Sequence, residues 1–175
     1  EPWADRSIIA TGASVWQHPS YLRGLDNLMV DMLTEPAMAE YIFDRVTEFY
    51  LAFFERVFDA AGDLIDSLAL ADDLGMQSGL MISPELFEKH VAPRIAAFAA
   101  LAHKNDAKLI LHSDGNISTI IPRLIELGVD VLDPLQPEAK GMDLAEIKRL
   151  YGNELVLRGG ISTQNTLAHA APGEV

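Results

Sequence analysis

The chain reads as an α/β protein built on a parallel sheet. Short, mainly apolar strand-like runs recur along the whole sequence. Helix-length amphipathic segments separate them, and parallel strands need such crossovers. Each strand-like run is apolar enough to be covered on both faces, as parallel sheets are.

Five runs have strand character: Ser7–Thr11, Asp66–Ala71, Lys108–His112, Val129–Leu132 and Glu154–Leu157. Between the first two, Glu35–Ala61 places Met38, Ile42, Val46, Phe49, Phe53 and Val57 close to a helical period. Thr34 is its expected N-cap, and Pro36 sits in the first turn, where a missing N–H costs little. Gly62 is its expected stop. The next helix opens at "SPELFEKH": Ser83 caps, Pro84 takes the first position, and Glu85 and Glu88 favour the positive end of the dipole. Pro93 is expected to kink or divide it. A third helix runs from Ser118 to Leu127 and stops at Gly128. A fourth opens with Asp143 and Glu146, spaced as a capping box, and stops at Gly152. "APGEV" reads as the start of another helix. No low-complexity linker divides the chain, so residues 1–175 are expected to form one domain.

At 175 residues the chain can bury a real core. It lacks an initiator Met and enters a strand almost at once, which reads as a piece of a longer protein. No apolar run approaches the ~20 residues of a membrane span, and no signal-peptide pattern opens the chain. The absence of cysteine excludes disulfides, thiol nucleophiles and thiolate zinc sites, and is compatible with a cytoplasmic home. Formal charge is −13, from 13 basic and 26 acidic residues, the wrong sign for a protein that tracks phosphate backbones. Neither nucleic acid nor membrane is an expected partner.

Ligand sites of parallel α/β folds lie beyond the carboxyl ends of the strands. Those ends carry Thr11, then Asp72 and Asp73, His112 and Asp114, Asp133, and Arg158. Asp and Ser also favour loops and caps, so any one of these residues has an ordinary structural explanation. As a set, they predict a pocket on one rim, with Asp73, His112, Asp114, Asp133 and Arg158 around it.

Four stretches carry a resemblance: "LRGLDNLMVDML" (22–33), "DDLGMQSGLMISPELFEKHVAPR" (72–94), "HSDGNISTIIPRLIELGVDVLDPLQPEAKGMD" (112–143) and "LYGNELVLRGGIST" (150–163). In order and spacing the chain resembles the uroporphyrinogen decarboxylase superfamily, which includes cobalamin-dependent methyltransferases that serve corrinoid proteins. The resemblance implies a (β/α)8 TIM barrel, of which this chain would hold strands three to seven. A whole barrel takes ~250 residues. Strands one, two and eight, with the family's tetrapyrrole-gripping arginines and aspartate and its last histidine, would lie outside.

The resemblance implies two chemistries. Methyltransferases of the family place a His-x-Cys-Gly motif where this chain has His112, Asp114 and Gly115. His112 and Asp114 could then be nitrogen and oxygen ligands to zinc, with a corrinoid protein as partner. Decarboxylases carry Asp-Gly at the same place, matched by Asp114 and Gly115, and use no metal or cofactor. In that branch Asp114, His112 and Asp73 are the expected catalytic groups, and Arg158, Asp133, Tyr21 and Gly115 the expected substrate contacts. Tyr21 stands one position later than a gap-free match would place the family's tyrosine, and Ser162 replaces a common aspartate. The favoured expectation is a carboxy-lyase acting on a tetrapyrrole or other small carboxylate-bearing substrate. The alternatives are a zinc-assisted, corrinoid-dependent methyltransferase and a non-catalytic remnant. A homodimer is the other expected assembly. Met76 and Met81 read as gap-filling residues, Trp16 and His18 as loop packing, and His90, His103 and His169 as solvated.

Overall fold

The computed structural model describes residues 5–174. Its backbone is a five-stranded parallel sheet in sequential order, β1 (Ile9–Ala13), β2 (Ser67–Ala71), β3 (Lys108–His112), β4 (Val131–Leu135) and β5 (Val156–Gly159). Helices separate the strands, so neighbours in sequence are neighbours in space, as in a segment of an α/β barrel.

β1, β4 and β5 run further toward the carboxyl end than expected. Thr11, the expected last residue of the first strand, lies within β1, and Asp133 and Arg158 lie inside strands rather than after them. A polar residue does not end a strand when its side chain points to a solvated inner face. The side chains of β2 show the alternation: Leu68 and Leu70 are fully buried under helices, while Ala69 and Ala71 line the inner face. The β4–β5 ladder is interrupted between Leu132 and Leu135, where Pro134 has no N–H to give.

Two helices, α1 (Gln17–Arg23) and α2 (Leu25–Thr34), fill a segment for which no element was expected. Trp16 therefore packs at a helix start, stacked on Phe43 with centroids 6.3 Å apart. Thr34 ends α2 instead of capping the next helix, and its Oγ1 donates to the Val30 carbonyl. The long helix is α3 (Pro36–Ala61). Gly62 keeps right-handed helical angles and leads into a 3-10 turn, so it is no left-handed stop.

Ser83 does cap α4 (Pro84–Leu86), its Oγ accepting from the Leu86 N–H at 3.3 Å. A π-turn over Phe87–Val91 joins α4 to α5 (Ala92–Lys104), so the helix is divided just before Pro93, as that residue requires. After β3, a 3-10 turn leads into α6 (Ile121–Glu126). Asp143 caps α7 (Leu144–Tyr151), accepting from the Glu146 N–H at 2.8 Å. A short α8 (Thr166–His169) follows β5, and Ala171–Glu174 form a turn rather than a new helix; residue 175 lies outside the described residues. No helix among the described residues is long and apolar enough to cross a membrane.

His90 is fully buried, not solvated. Its ring stacks on Phe43 at 5.5 Å, and its Nδ1 lies 2.7 Å from Glu40 without hydrogen-bond geometry, so neither ring nitrogen has a partner. Arg94 locks α5 to α3 beside it, donating to Glu40 and Asp44 at 2.6 Å each. His103 is half-exposed and pairs with Asp130 at 2.7 Å.

Burial pushes the His90 imidazole below its ordinary value, against the opposing pull of Glu40. The unfolded chain takes up that proton near pH 6.5, and the folded chain only at lower pH. Stability is therefore full above about pH 6.5 and declines as pH falls below it, until the folded imidazole is protonated too. Urea unfolding at a series of pH values should show this slope in the native chain and a flatter one in His90→Leu.

Candidate functional site at the carboxyl ends of the strands

The site begins with two adjacent carboxylates at the end of β2. Asp72 is wholly buried and serves the fold. It accepts hydrogen bonds from the Ser14 hydroxyl at 2.5 Å and from the N–H groups of Val15, Trp16 and Gln17 at 2.9, 2.6 and 3.1 Å. Burial raises its pKa, while these donors act in the opposite sense by favouring the charged form. With its oxygens committed, Asp72 leaves the set of expected rim groups. Asp73 turns the other way, toward the inner face.

The β2 and β3 end loops then meet backbone to backbone. Gly115 has φ +81°, and a Cβ there would lie 2.5 Å from the Gly75 carbonyl carbon. The Gly115 N–H donates to Gln136 Oε1 at 2.9 Å, and the Asn116 N–H to the Met76 carbonyl at 2.8 Å. This close approach sets Asp114 beside Asp73, with the Asp114 N–H donating to Asp73 Oδ1 at 3.0 Å.

His112 ends β3 on the inner face. Its Nε2 lies 3.6 Å from Asp73 Oδ1 and 3.7 Å from Asp114 Oδ2. Its Nδ1 faces Asp133 Oδ2 at 3.7 Å, and Arg158 Nε approaches Asp133 Oδ1 at 3.3 Å. The distances from His112 exceed those of hydrogen bonds, so the three carboxylates approach the ring without bonding to it. One donor atom each from Asp73, His112 and Asp114 falls within 4.8 Å of the others, a spacing that could hold a metal ion. Beneath them a cavity of about 320 Å³ opens against Thr11, Ala71, Ile110, His112, Asp133 and Arg158. The small side chains of Ala69 and Ala71 leave that space.

Five of the expected residues thus converge: Asp73, His112, Asp114, Asp133 and Arg158. Gly115 is adjacent, but its backbone is directed at Gly75 and Gln136. Tyr21 stands apart, 71% exposed on α1, where it lines an apolar groove with His18, Phe49 and Tyr50. Sequence reasoning missed Gln17, whose Nε2 donates to Asp73 Oδ2 at 2.8 Å, and the paired amides of Gln77 and Gln136. Gln17 carries no local signal, because its partner is 56 residues away.

A parallel α/β sheet in sequential strand order, with ionisable groups gathered at its carboxyl rim, is the arrangement of a segment of an α/β barrel. The family model for "Uroporphyrinogen decarboxylase (URO-D)" matches residues 5–175, and the chain belongs to that family. Among solved structures, a methyltransferase from Methanosarcina mazei is similar, with a TM-score of 0.70 and 20% identity over 87% of this chain. The chain spans 42% of that protein's length. No curated protein matches.

The glycine contact generates a stability prediction. Gly115→Ala must combine a positive φ with a backbone clash, and should lose more than about 1 kcal/mol in urea unfolding. Gly62→Ala is the control, since its added Cβ meets nothing within 4 Å and its backbone is helical. It should be neutral or stabilising.

Proposed function

We propose that the chain carries the site of a metal-assisted methyltransferase working with a corrinoid partner, in which Asp73, His112 and Asp114 hold one divalent cation. The observation that carries this reading is the cluster of one nitrogen and two oxygen donors within 4.8 Å of one another. Imidazole and carboxylate are ordinary zinc ligands, so the donor set fits that ion. When bound there, zinc would lower the pKa of a coordinated thiol, whose thiolate is the reactive form.

The chain's own residues supply the rest. His112 offers Nε2 to the cluster while Asp133 faces Nδ1, as outer carboxylates do when they orient a metal-binding imidazole. Arg158 approaches Asp133 from its other oxygen. Charge also supports a cation. Three carboxylates and one engaged arginine surround His112, and a substrate bearing many carboxylates would meet repulsion there.

A second reading is carboxy-lyase chemistry without metal or cofactor. Arg158 favours it, standing on the cavity wall beside His112 as a cation for a substrate carboxylate. Asp114 would then be the carboxylate that faces a pyrrole N–H.

Elemental analysis of the chain purified without chelator tests the first reading. Close to one zinc per chain is expected, lost in His112→Ala and in Asp114→Ala. A native chain that holds no zinc and takes none up would overturn it. Metal-free tetrapyrrole binding that is weakened by Arg158→Ala would then assign the lyase reading.

A further inference from the structure

We infer that Gln17 is a positioning residue for the site: it fixes which oxygen of Asp73 faces His112. The inference rests on the metal reading above and concerns a residue that lies outside the cluster itself.

Gln17 opens α1, and one turn of backbone there serves two neighbouring carboxylates. The Gln17 N–H donates to Asp72 Oδ1 at 3.1 Å, while its side-chain Nε2 donates to Asp73 Oδ2 at 2.8 Å. Asp72 also accepts from Ser14, Val15 and Trp16, so the turn that carries Gln17 has no freedom to drift. The amide therefore reaches Asp73 from a fixed origin.

At Asp73 the two oxygens have separate tasks. Oδ2 is held by Gln17. Oδ1 accepts from the Asp114 N–H at 3.0 Å and lies 3.6 Å from His112 Nε2. Gln17 meets Asp73 through its Nε2–H, which donates and cannot ligate, so this contact orients the donor set rather than adding to it. Remove the amide, and Asp73 keeps one backbone hydrogen bond about which its carboxylate can turn. The donor atom then spreads over several directions, and each cation bound must reorder it. Outer partners of this kind change metal affinity by about 10–100-fold.

Cobalt(II) is the probe, because its visible absorption reports ligand number and geometry. The native chain, Gln17→Leu, Asp73→Ala and the double variant would each be titrated with Co²⁺, and their thermal midpoints measured. The native chain is expected to bind one Co²⁺. Gln17→Leu should bind about 10–100-fold more weakly with an altered absorption band and an unmoved thermal midpoint. In the Asp73→Ala background the same change should add nothing, as required if Gln17 acts through Asp73.

Unchanged Co²⁺ affinity and spectrum in Gln17→Leu would overturn the positioning role while the metal reading stood. An equal loss in the Asp73→Ala background would overturn it as well, since Gln17 would then act by another route. No Co²⁺ binding by the native chain would remove the metal reading, and the positioning role with it.

Discussion

The buried carboxylate of Asp72 is the constraint on which the site end of the molecule depends. It takes one hydroxyl and three backbone N–H donors from a turn 55 to 58 residues earlier in the chain. Those amides open α1, and the Ser14 hydroxyl just before it accepts from the Gln17 and His18 N–H groups at 2.7 and 3.2 Å. A helix start leaves N–H groups that need acceptors. Here acceptors come both from Ser14, a few residues earlier, and from Asp72 at the end of the next strand in the sheet. The same contacts therefore begin α1, close the β1–α1 turn and pin it to the end of β2. Buried donors left without an acceptor cost about 1–3 kcal/mol each, so the arrangement works as a unit.

From that anchor the strand alternation sorts side chains by task. Asp72 goes into the core and Asp73 toward the inner face, one residue apart. On β3, Leu111 is fully buried, while His112 reaches the inner face. The parallel register sets His112 opposite Ala71 on one side and Asp133 on the other. Alanine at the first position leaves room, and aspartate at the second supplies charge. The glycine contact between the β2 and β3 loops then draws Asp114 in beside Asp73. No single loop builds the cluster; it follows from register, alternation and one close backbone approach.

Much of this was legible locally. The strand–helix alternation, the caps at Ser83 and Asp143 and the helix division before Pro93 all rest on neighbours within a few residues. The rim residues were also legible, because ionisable groups at successive strand ends form a pattern in one dimension. What could not be read depends on distance. α1 had one local signal that was passed over, Ser14 three residues before Gln17, while its other acceptor, Asp72, lies far along the chain. His90 looked solvated because its helix surface is covered by α3 through Phe43 and Glu40, which local periodicity does not report. The strands β4 and β5 were cut short by taking polar residues as stops, although Asp133 and Arg158 belong to the inner wall with Thr11 of β1. Tyr21 entered through resemblance alone, and the fold places it on another face.

The electrostatics of the rim give the last step. Two like charges about 4 Å apart repel by roughly 4 kcal/mol at the intermediate dielectric of a protein surface. Asp73, Asp114 and Asp133 all lie within 3.7 Å of His112 atoms, and Arg158 offsets only Asp133. Asp73 gains further relief from two N–H donors, at 2.8 and 3.0 Å. No such donor reaches the Asp114 carboxylate among the described contacts; it is half-exposed, and solvent rather than protein compensates its charge. A fold selected for stability alone would have little reason to hold Asp114 there, beside Asp73, by a glycine that tolerates no side chain. A ligand with positive charge would engage the one carboxylate of the cluster that no protein donor holds. A rim of this charge supports the proposed cation over a polycarboxylate.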